Sequence, residues 1–349
     1  MPIADVSVLL PVKDGARYLD QALASFHACR EPRLELVVVD DGSTDATPEI
    51  IERWWRRDSR IVPLAISANV EGIVAALETA RARARAPLVA RLDADDLAYP
   101  DRFRRQFARF QADRDLVLLG TAVDKIDETG RVVGSIRYSA DERDLKRQLR
   151  RRNVFVHSTT MTRASAVQQV GGYRRFFLAA EDYDLWLRVA ETGRIANLPE
   201  RLGGYRIHQG STTRQQAFRQ AFSAALARTC AEARRQKRAD PAGGQKRAID
   251  IEGDDWPIAF DDDVRLYRAL AFADRAILMH RQPTPADIDR LVTRGLPPTE
   301  RKIAQAALAN ILACRALPNP RSRGRAMAAL IGRGPIRAAR LLLGRNQPG

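Results

Sequence analysis

The chain has 349 residues, 45% hydrophobic and 29% charged, which supports a sizeable core, excludes general disorder and suggests about two domains. Its net charge of +15 is unevenly spread: residues 1–214 carry only +4 and residues 215–300 +1, whereas residues 301–349 hold ten basic residues and no acid. The body is therefore close to balanced and does not imply nucleic-acid binding, while the basic tail suits an anionic surface.

Val6–Val12 (VSVLLPV) is an apolar, β-branched run suited to a strand buried on both faces. Helical spacing follows over Tyr18–Ala28, with Leu19, Ala22, Leu23 and Phe26 on one stripe. Leu34–Val39 repeats the buried-strand pattern. Thr47, a candidate N-cap ahead of Pro48 at the first helical position, opens a helix to about Arg57. Ile61–Ile66 is a third strand, Ile73 to about Ala84 a third helix, and Leu88–Leu92 (LVARL) a fourth strand; Pro100 opens a helix to about Gln111. This alternation predicts a doubly wound, mostly parallel sheet, and ligands of such sheets bind beyond the carboxyl ends of the strands. Next come short strands at Leu116–Leu119 and from Ile136, a charged helix over 141–152 and a short strand at Val154–Val156. A turn at Gly171-Gly172-Tyr173 and a helix from about Asp182 to Thr192 complete this part. Beyond 214 the chain is Ala/Arg-rich and helical, interrupted over 239–263 by Pro241, Gly243, Gly244 and the acidic DDWPIAFDDD. Residues 264–281, 285–294, 299–316 and 323–343 read as four further helices.

Two carboxylate groups follow apolar strands directly: Asp40 and Asp41 in DDGSTD, and Asp93, Asp95 and Asp96 in DADD. Both fall at the ligand-binding edge. Asp93-x-Asp95 presents two carboxylates on a tight turn, suited to a hard divalent cation that keeps positions open for phosphate oxygens. Asp41 could accept hydrogen bonds from a base or ribose. Neither GxGxxG nor GxxxxGK[ST] occurs, so Rossmann dinucleotide and P-loop readings fail. Each motif also has a purely structural reading: Asp and Gly are common after strands, and Asp45 or Thr47 can cap the next helix.

Val6–Asp14 (VSVLLPVKD), Glu35–Asp45 (ELVVVDDGSTD), Asn69-x-x-Gly72, Leu92–Asp96 (LDADD) and Pro100-Asp101-Arg102 occur in the order seen in family 2 glycosyltransferases. Gly171–Tyr173, Glu181–Leu187 (EDYDLWL) and Tyr205-Arg206-x-His208 continue the match, so the chain resembles that family over about residues 4–213. The resemblance implies an α/β GT-A nucleotide-diphospho-sugar transferase fold, a doubly wound mixed sheet followed by a mainly α-helical C-terminal region. The catalytic domain would span 1–214, with a nucleotide-binding half at 1–112 and an acceptor half at 113–214, and residues 215–349 would form a helical, basic extension. It implies an inverting, metal-dependent transfer of a sugar from a nucleotide-diphosphate sugar, UDP by default, to an acceptor hydroxyl in surface polysaccharide or glycolipid synthesis. By the same resemblance Asp41 contacts the nucleobase, and Pro11 and Asp14 flank the nucleoside. Asp95 coordinates Mn²⁺ or Mg²⁺, and Asp93 reaches the ribose or the metal. Asp182 is the catalytic base, and His208 faces the metal or diphosphate. His157, Glu181 and Trp186 fall on the acceptor side. Asp182 can also cap its helix, His208 and His157 can be ordinary loop and structural histidines, and Trp186 can be core.

Cys29, Cys230 and Cys314 are odd in number and far apart, which excludes a disulfide framework and a CxxC zinc site. No run of about 18 apolar residues marks a membrane span, and no basic segment precedes the first apolar run, so a cytoplasmic protein is the default. Arg325, Arg333, Arg337 and Arg340 lie among apolar residues in 323–343, a pattern suited to the anionic inner face of a plasma membrane or to packing on the catalytic domain. The expected partners are a nucleotide-diphosphate sugar, a saccharide or lipid-linked saccharide and that membrane surface, and no nucleic acid. Two other readings stand beside this one. A nucleotidyltransferase would want a Gly-rich basic phosphate loop, where LLPVKDGARYL offers only Lys13 and Gly15. A non-enzymatic nucleotide-sugar binder with a membrane-contacting tail would not need an intact DxD and base.

Overall fold

The computed structural model describes residues 4–66, 72–177, 179–208, 217–245 and 247–249. The four apolar runs are strands β1 (Val6–Val12), β2 (Leu34–Asp40), β3 (Ile61–Ala65) and β4 (Leu88–Arg91). They pair in parallel in the order β3-β2-β1-β4. Helices α1 (Ala16–Ala28), α2 (Thr47–Arg57) and α3 (Gly72–Arg83) connect them. Because strand side chains alternate, the sheet builds two cores. Val8, Leu10, Leu36 and Val38 pack with Leu23, Phe26 and Trp54 on one face, and Leu9, Val37 and Val39 with Ala76 and Ala80 on the other.

Past β4 the sheet turns mixed. The further strands are β5 (Leu97–Ala98), β6 (Leu116–Ile126), β7 (Val132–Ile136), β8 (Met161–Arg163) and β9 (Arg194–Arg206). β8 lies antiparallel between β4 and β6; β9 runs parallel to β6 and closes antiparallel on β5. β7 folds back on β6 as a hairpin. Helices α4 (Arg102–Ala112), α5 (Glu142–Leu149), α6 (Ala164–Gln169) and α7 (Glu181–Val189) complete this part.

Several expectations change. Thr47 is not the cap of α2: Ala46 precedes the helix, and the Thr47 hydroxyl accepts from Gly15 N at 2.9 Å instead. β6 runs to Ile126 rather than Leu119, and Ile136 ends a strand rather than starting one. Val154–Val156 is buried but forms no strand; its backbone leads into the 3₁₀ turn His157–Thr159. The Asn69 motif position and all residues from 250 onward, including the acidic stretch, Cys314, the four expected helices and the basic tail, lie outside the described residues.

The chain divides into two compact units, one of residues 1–175 and 181–211, the other of 176–180 and everything from 212. In the second unit, helix α8 (Ala217–Arg235) buries Phe222, Leu226 and Cys230. Ser223 Oγ of this helix accepts from Ala179 N at 3.3 Å, and Ile249 N donates to Phe176 O at 3.0 Å. Among the described residues no helix is long and apolar enough to cross a membrane.

Candidate functional site

Parallel pairing places the carboxyl ends of β1, β2 and β4 at one edge. Val12 is in register with Asp40, and the next residue, Asp41, donates its N–H to Val12 O at 2.9 Å. The two loops leaving this edge are tied to each other. Asp14 N donates to Ser43 Oγ at 2.8 Å, and Asp14 Oδ1 accepts from Thr44 N at 2.8 Å. Ala16 N donates to Asp45 Oδ2 at 3.0 Å. Asp14 holds a left-handed φ of 48°, and Gly15 sits so close to β1 that a Cβ there would fall 2.5 Å from Val12 Cγ2. Pro11 lies within β1 opposite Val39. Asp41 is buried, and that burial pushes its carboxyl up against the opposing pull of Lys13.

The third strand end carries the acidic turn. Asp96 N donates to Asp93 O at 3.2 Å, and one ligand atom from each of Asp93, Asp95 and Asp96 lies within 4.8 Å of the others. Each carboxylate has its own tether. Arg91 Nη2 is 2.7 Å from Asp93 Oδ1, yet that oxygen has no well-directed hydrogen bond. Asp95 Oδ2 meets His208 Nε2 at 2.9 Å. Asp96 is 2% exposed and accepts from the Ser158 hydroxyl and, at 2.8 Å, from Arg206 N. Burial, then mutual repulsion, pushes Asp96 well up; burial also raises Asp93, against Arg91. A set of oxygen donors with an unmatched Asp93 oxygen and excess negative charge could hold a hard divalent cation.

Glu181 and Asp182 open α7. The Asp182 carboxylate accepts from Tyr183 N at 2.7 Å and from Asn153 Nδ2 at 2.8 Å. Burial raises it to about 6 despite these donors, with Asp93 adding repulsion. Glu181 is pushed up to about 7 by burial and then by Asp182. The charge of Asp93 pushes both Glu181 and Asp182 further up. His157 Nε2 meets the Tyr173 hydroxyl at 2.9 Å, and burial lowers its basicity well below the ordinary histidine range. Trp186 is 2% exposed, with Phe155 and His157 edge-on against it, the packing of a core side chain.

Sequence reasoning gave no role to Arg91, Asn153 and Ser158, and named Asp96 and Arg206 as motif members without the anchoring part they play here. Arg206 is 1% exposed; its guanidinium donates to Asp95 O at 2.7 Å and to Gln21 Oε1 at 2.8 Å, and lies 4.6 Å above the Tyr18 ring. The signal for Arg91 was available as a basic residue inside an apolar strand just before the acidic turn, and that for Arg206 as a member of Tyr205-Arg206-x-His208. Asn153 and Ser158 come from loops with no pattern to mark them.

Residues 7–171 match the family described as Glycosyl transferase family 2. The amylovoran biosynthesis glycosyltransferase AmsE of Erwinia amylovora is 32% identical over 197 residues, which span 56% of this chain and 73% of AmsE. Among solved structures, S. aureus TarS 1-349 in complex with UDP-GlcNAc aligns with a TM-score of 0.54 and 16% identity over 97% of this chain and 87% of that one. The mannosyltransferase PcManGT from Pyrobaculum calidifontis, in complex with GDP-Man and Mn²⁺, aligns with a TM-score of 0.53 and 19% identity over 99% of this chain and 88% of its own. These two carry the fold, the GT-A sheet with its antiparallel extension. With the match to AmsE and to the family over β1 to α6, the chain belongs to glycosyl transferase family 2 and is a glycosyltransferase.

Proposed function

We propose that the enzyme transfers a sugar from a nucleotide diphosphate to an acceptor hydroxyl by a single inverting displacement, with Mn²⁺ or Mg²⁺ at the acidic turn. The observations that carry this reading are the acidic turn of Asp93, Asp95 and Asp96 at the carboxyl edge of the parallel strands, and the Asp182 carboxylate held by Asn153 and Tyr183 N at the start of α7. Asp182 is the base. Its carboxylate is fixed by Asn153 and Tyr183 N, and at about 6 it is ionised near neutrality while still basic enough to take a hydroxyl proton. Asp41 reads the base, with Pro11 and the pinned Asp14 loop flanking the nucleoside. Asp95 and Asp93 hold the metal, with His208 beside Asp95. When bound, the cation neutralises the charge that grows on the departing diphosphate. His157, held neutral, and Glu181 line the acceptor side.

UDP is the expected nucleotide, but TarS was solved with UDP-GlcNAc and PcManGT with GDP-Man. The acceptor is a saccharide or lipid-linked saccharide of a surface polysaccharide or glycolipid, a reading supported by the assignment of AmsE to amylovoran biosynthesis. Thermal shift against UDP, GDP and dTDP, each with and without Mn²⁺, tests the site. A ligand present at about 100 times its Kd stabilises the folded state by about 2.7 kcal/mol. One nucleotide should raise the melting temperature in a Mn²⁺-dependent way, and Asp95→Asn should remove the Mn²⁺-dependent part. No shift with any nucleotide, or an undiminished one in Asp95→Asn, overturns the assignment.

A further inference from the structure

Strand β4 carries one charge among apolar residues. Leu88, Ala90 and Leu92 face one core and Val89 the other. The two-residue period puts Arg91 and Asp93 on the Val89 side, as neighbours along one face. Arg91 is only 6% exposed. A guanidinium buried this deeply is costly unless it is paired and hydrogen-bonded.

Its partners hold it tightly. Nη1 donates to Leu9 O of β1 at 3.1 Å and to Leu92 O at 2.7 Å. The Arg91 main chain is anchored on both sides, its N donating to Thr160 O at 3.0 Å and its O accepting from Arg102 Nη2 at 2.6 Å. Nη2 then reaches Asp93 Oδ1 at 2.7 Å. This contact is an ion pair without a two-pronged fork, since Arg91 Nε and Asp93 Oδ1 have no directed hydrogen bond. The carboxylate is held in place while its lone pairs stay open to another ligand. The charge of Arg91 also draws Glu181 down, against the push from Asp93.

We propose that Arg91 is a positioning residue for sugar transfer: it clamps the Asp93 carboxylate at the sheet edge and offsets its negative charge beside the reacting groups. The proposal rests on the assignment of Asp93 to the donor and metal site.

The test compares Arg91→Met, Arg91→Lys, Asp93→Asn and the double variant Arg91→Met/Asp93→Asn, all as the full chain. Three quantities are measured: the ligand-free melting temperature, the Mn²⁺-dependent shift with UDP and GDP, and turnover of UDP-GlcNAc and GDP-mannose. Arg91→Met should lower turnover by about 100-fold, and Arg91→Lys, which keeps the charge, by no more than about tenfold. In the Asp93→Asn background, Arg91→Met should cost less than about threefold more, because its target is already gone. The ligand-free melting temperature should fall in Asp93→Asn, which strands a buried cation, and recover in the double variant. Arg91→Lys no better than Arg91→Met, or losses that multiply in the double variant, would mean that Arg91 serves only the backbone carbonyls of Leu9 and Leu92, and the proposal falls. A wild-type enzyme that turns over neither sugar and shows no Mn²⁺-dependent shift brings down the site assignment and this proposal with it; a normal wild type with additive variants brings down the role of Arg91 alone.

Discussion

At Asp182 two opposing effects meet. Burial favours the neutral acid, while Tyr183 N and Asn153 Nδ2 favour the anion, and the balance lies at about 6, with Glu181 beside it at about 7. Two interacting carboxyls lose their protons in two steps that belong to the pair, so the acid limb of the transfer rate should report the pair rather than Asp182 alone. As the proposed base, Asp182 works ionised, so kcat/KM should fall as pH drops below about 6, tenfold per unit once a single proton controls it. Asp182→Asn should remove about 10²–10⁴-fold in turnover while leaving the nucleotide shift in place. Asn153→Ala removes a donor that stabilises the anion, so the acid limb should move to higher pH. A limb that stays put in Asn153→Ala would detach this asparagine from the base. Nothing around Asn153 in the sequence (RRNVF) marks it. Its partner lies 29 positions away, and only the folded chain brings the two together.

Elements with a strict period were legible, and those shaped by tertiary contacts were not. β1, β2 and β4 are mostly apolar runs because helices cover both faces, and their bounds matched within a residue. β9 escaped notice because Pro199, Glu200, Arg201 and a Gly-Gly pair break its alternation, and its pairing with β6 shifts register three times. β8 is three residues long, too short to show any period. Helix α7 was recognised, but the reason it stays in place was not. Asp184 looks like one more surface acid in EDYDLWL, yet it is fully buried. It pairs with Arg174 and with Arg188, whose Nη2 is 2.7 Å from Asp184 Oδ2. Arg188 in turn donates to Val170 O at 2.6 Å and Gly172 O at 2.8 Å. This cluster fastens the helix that carries Glu181 and Asp182 to the Gly171-Gly172 turn. Asp184→Asn leaves buried guanidinium groups without a counter-charge and should destabilise the chain by about 3–5 kcal/mol, read from the urea midpoint. A change below about 1 kcal/mol would mean that the arginines relax into solvent and the cluster is not a fastening.

Across the whole chain, charge separates two tasks. The strand-end site concentrates acid: Asp40, Asp41, Asp93, Asp95, Asp96, Glu181 and Asp182 gather where a cation and a diphosphate would be bound. The positive excess lies elsewhere in the sequence, in residues 301–349 with ten basic residues and no acid. An enzyme whose acceptor is anchored in lipid gains by staying near the bilayer, and a basic amphipathic segment can do this without a membrane span. Each Lys or Arg near an anionic surface contributes about 1 kcal/mol, so five arginines supply about 5 kcal/mol, more than a thousandfold in partitioning. The full chain should therefore co-sediment with phosphatidylglycerol vesicles and not with phosphatidylcholine ones, and raising salt should release it, since screening acts on exposed charges. Replacing Arg323, Arg325, Arg333, Arg337 and Arg340 together by Gln should weaken the binding by about a thousandfold while leaving the Mn²⁺-dependent nucleotide shift unchanged. The second readout separates the two tasks: a variant that loses both has lost its fold, and one that keeps both shows that these arginines face the protein or the solvent rather than a membrane.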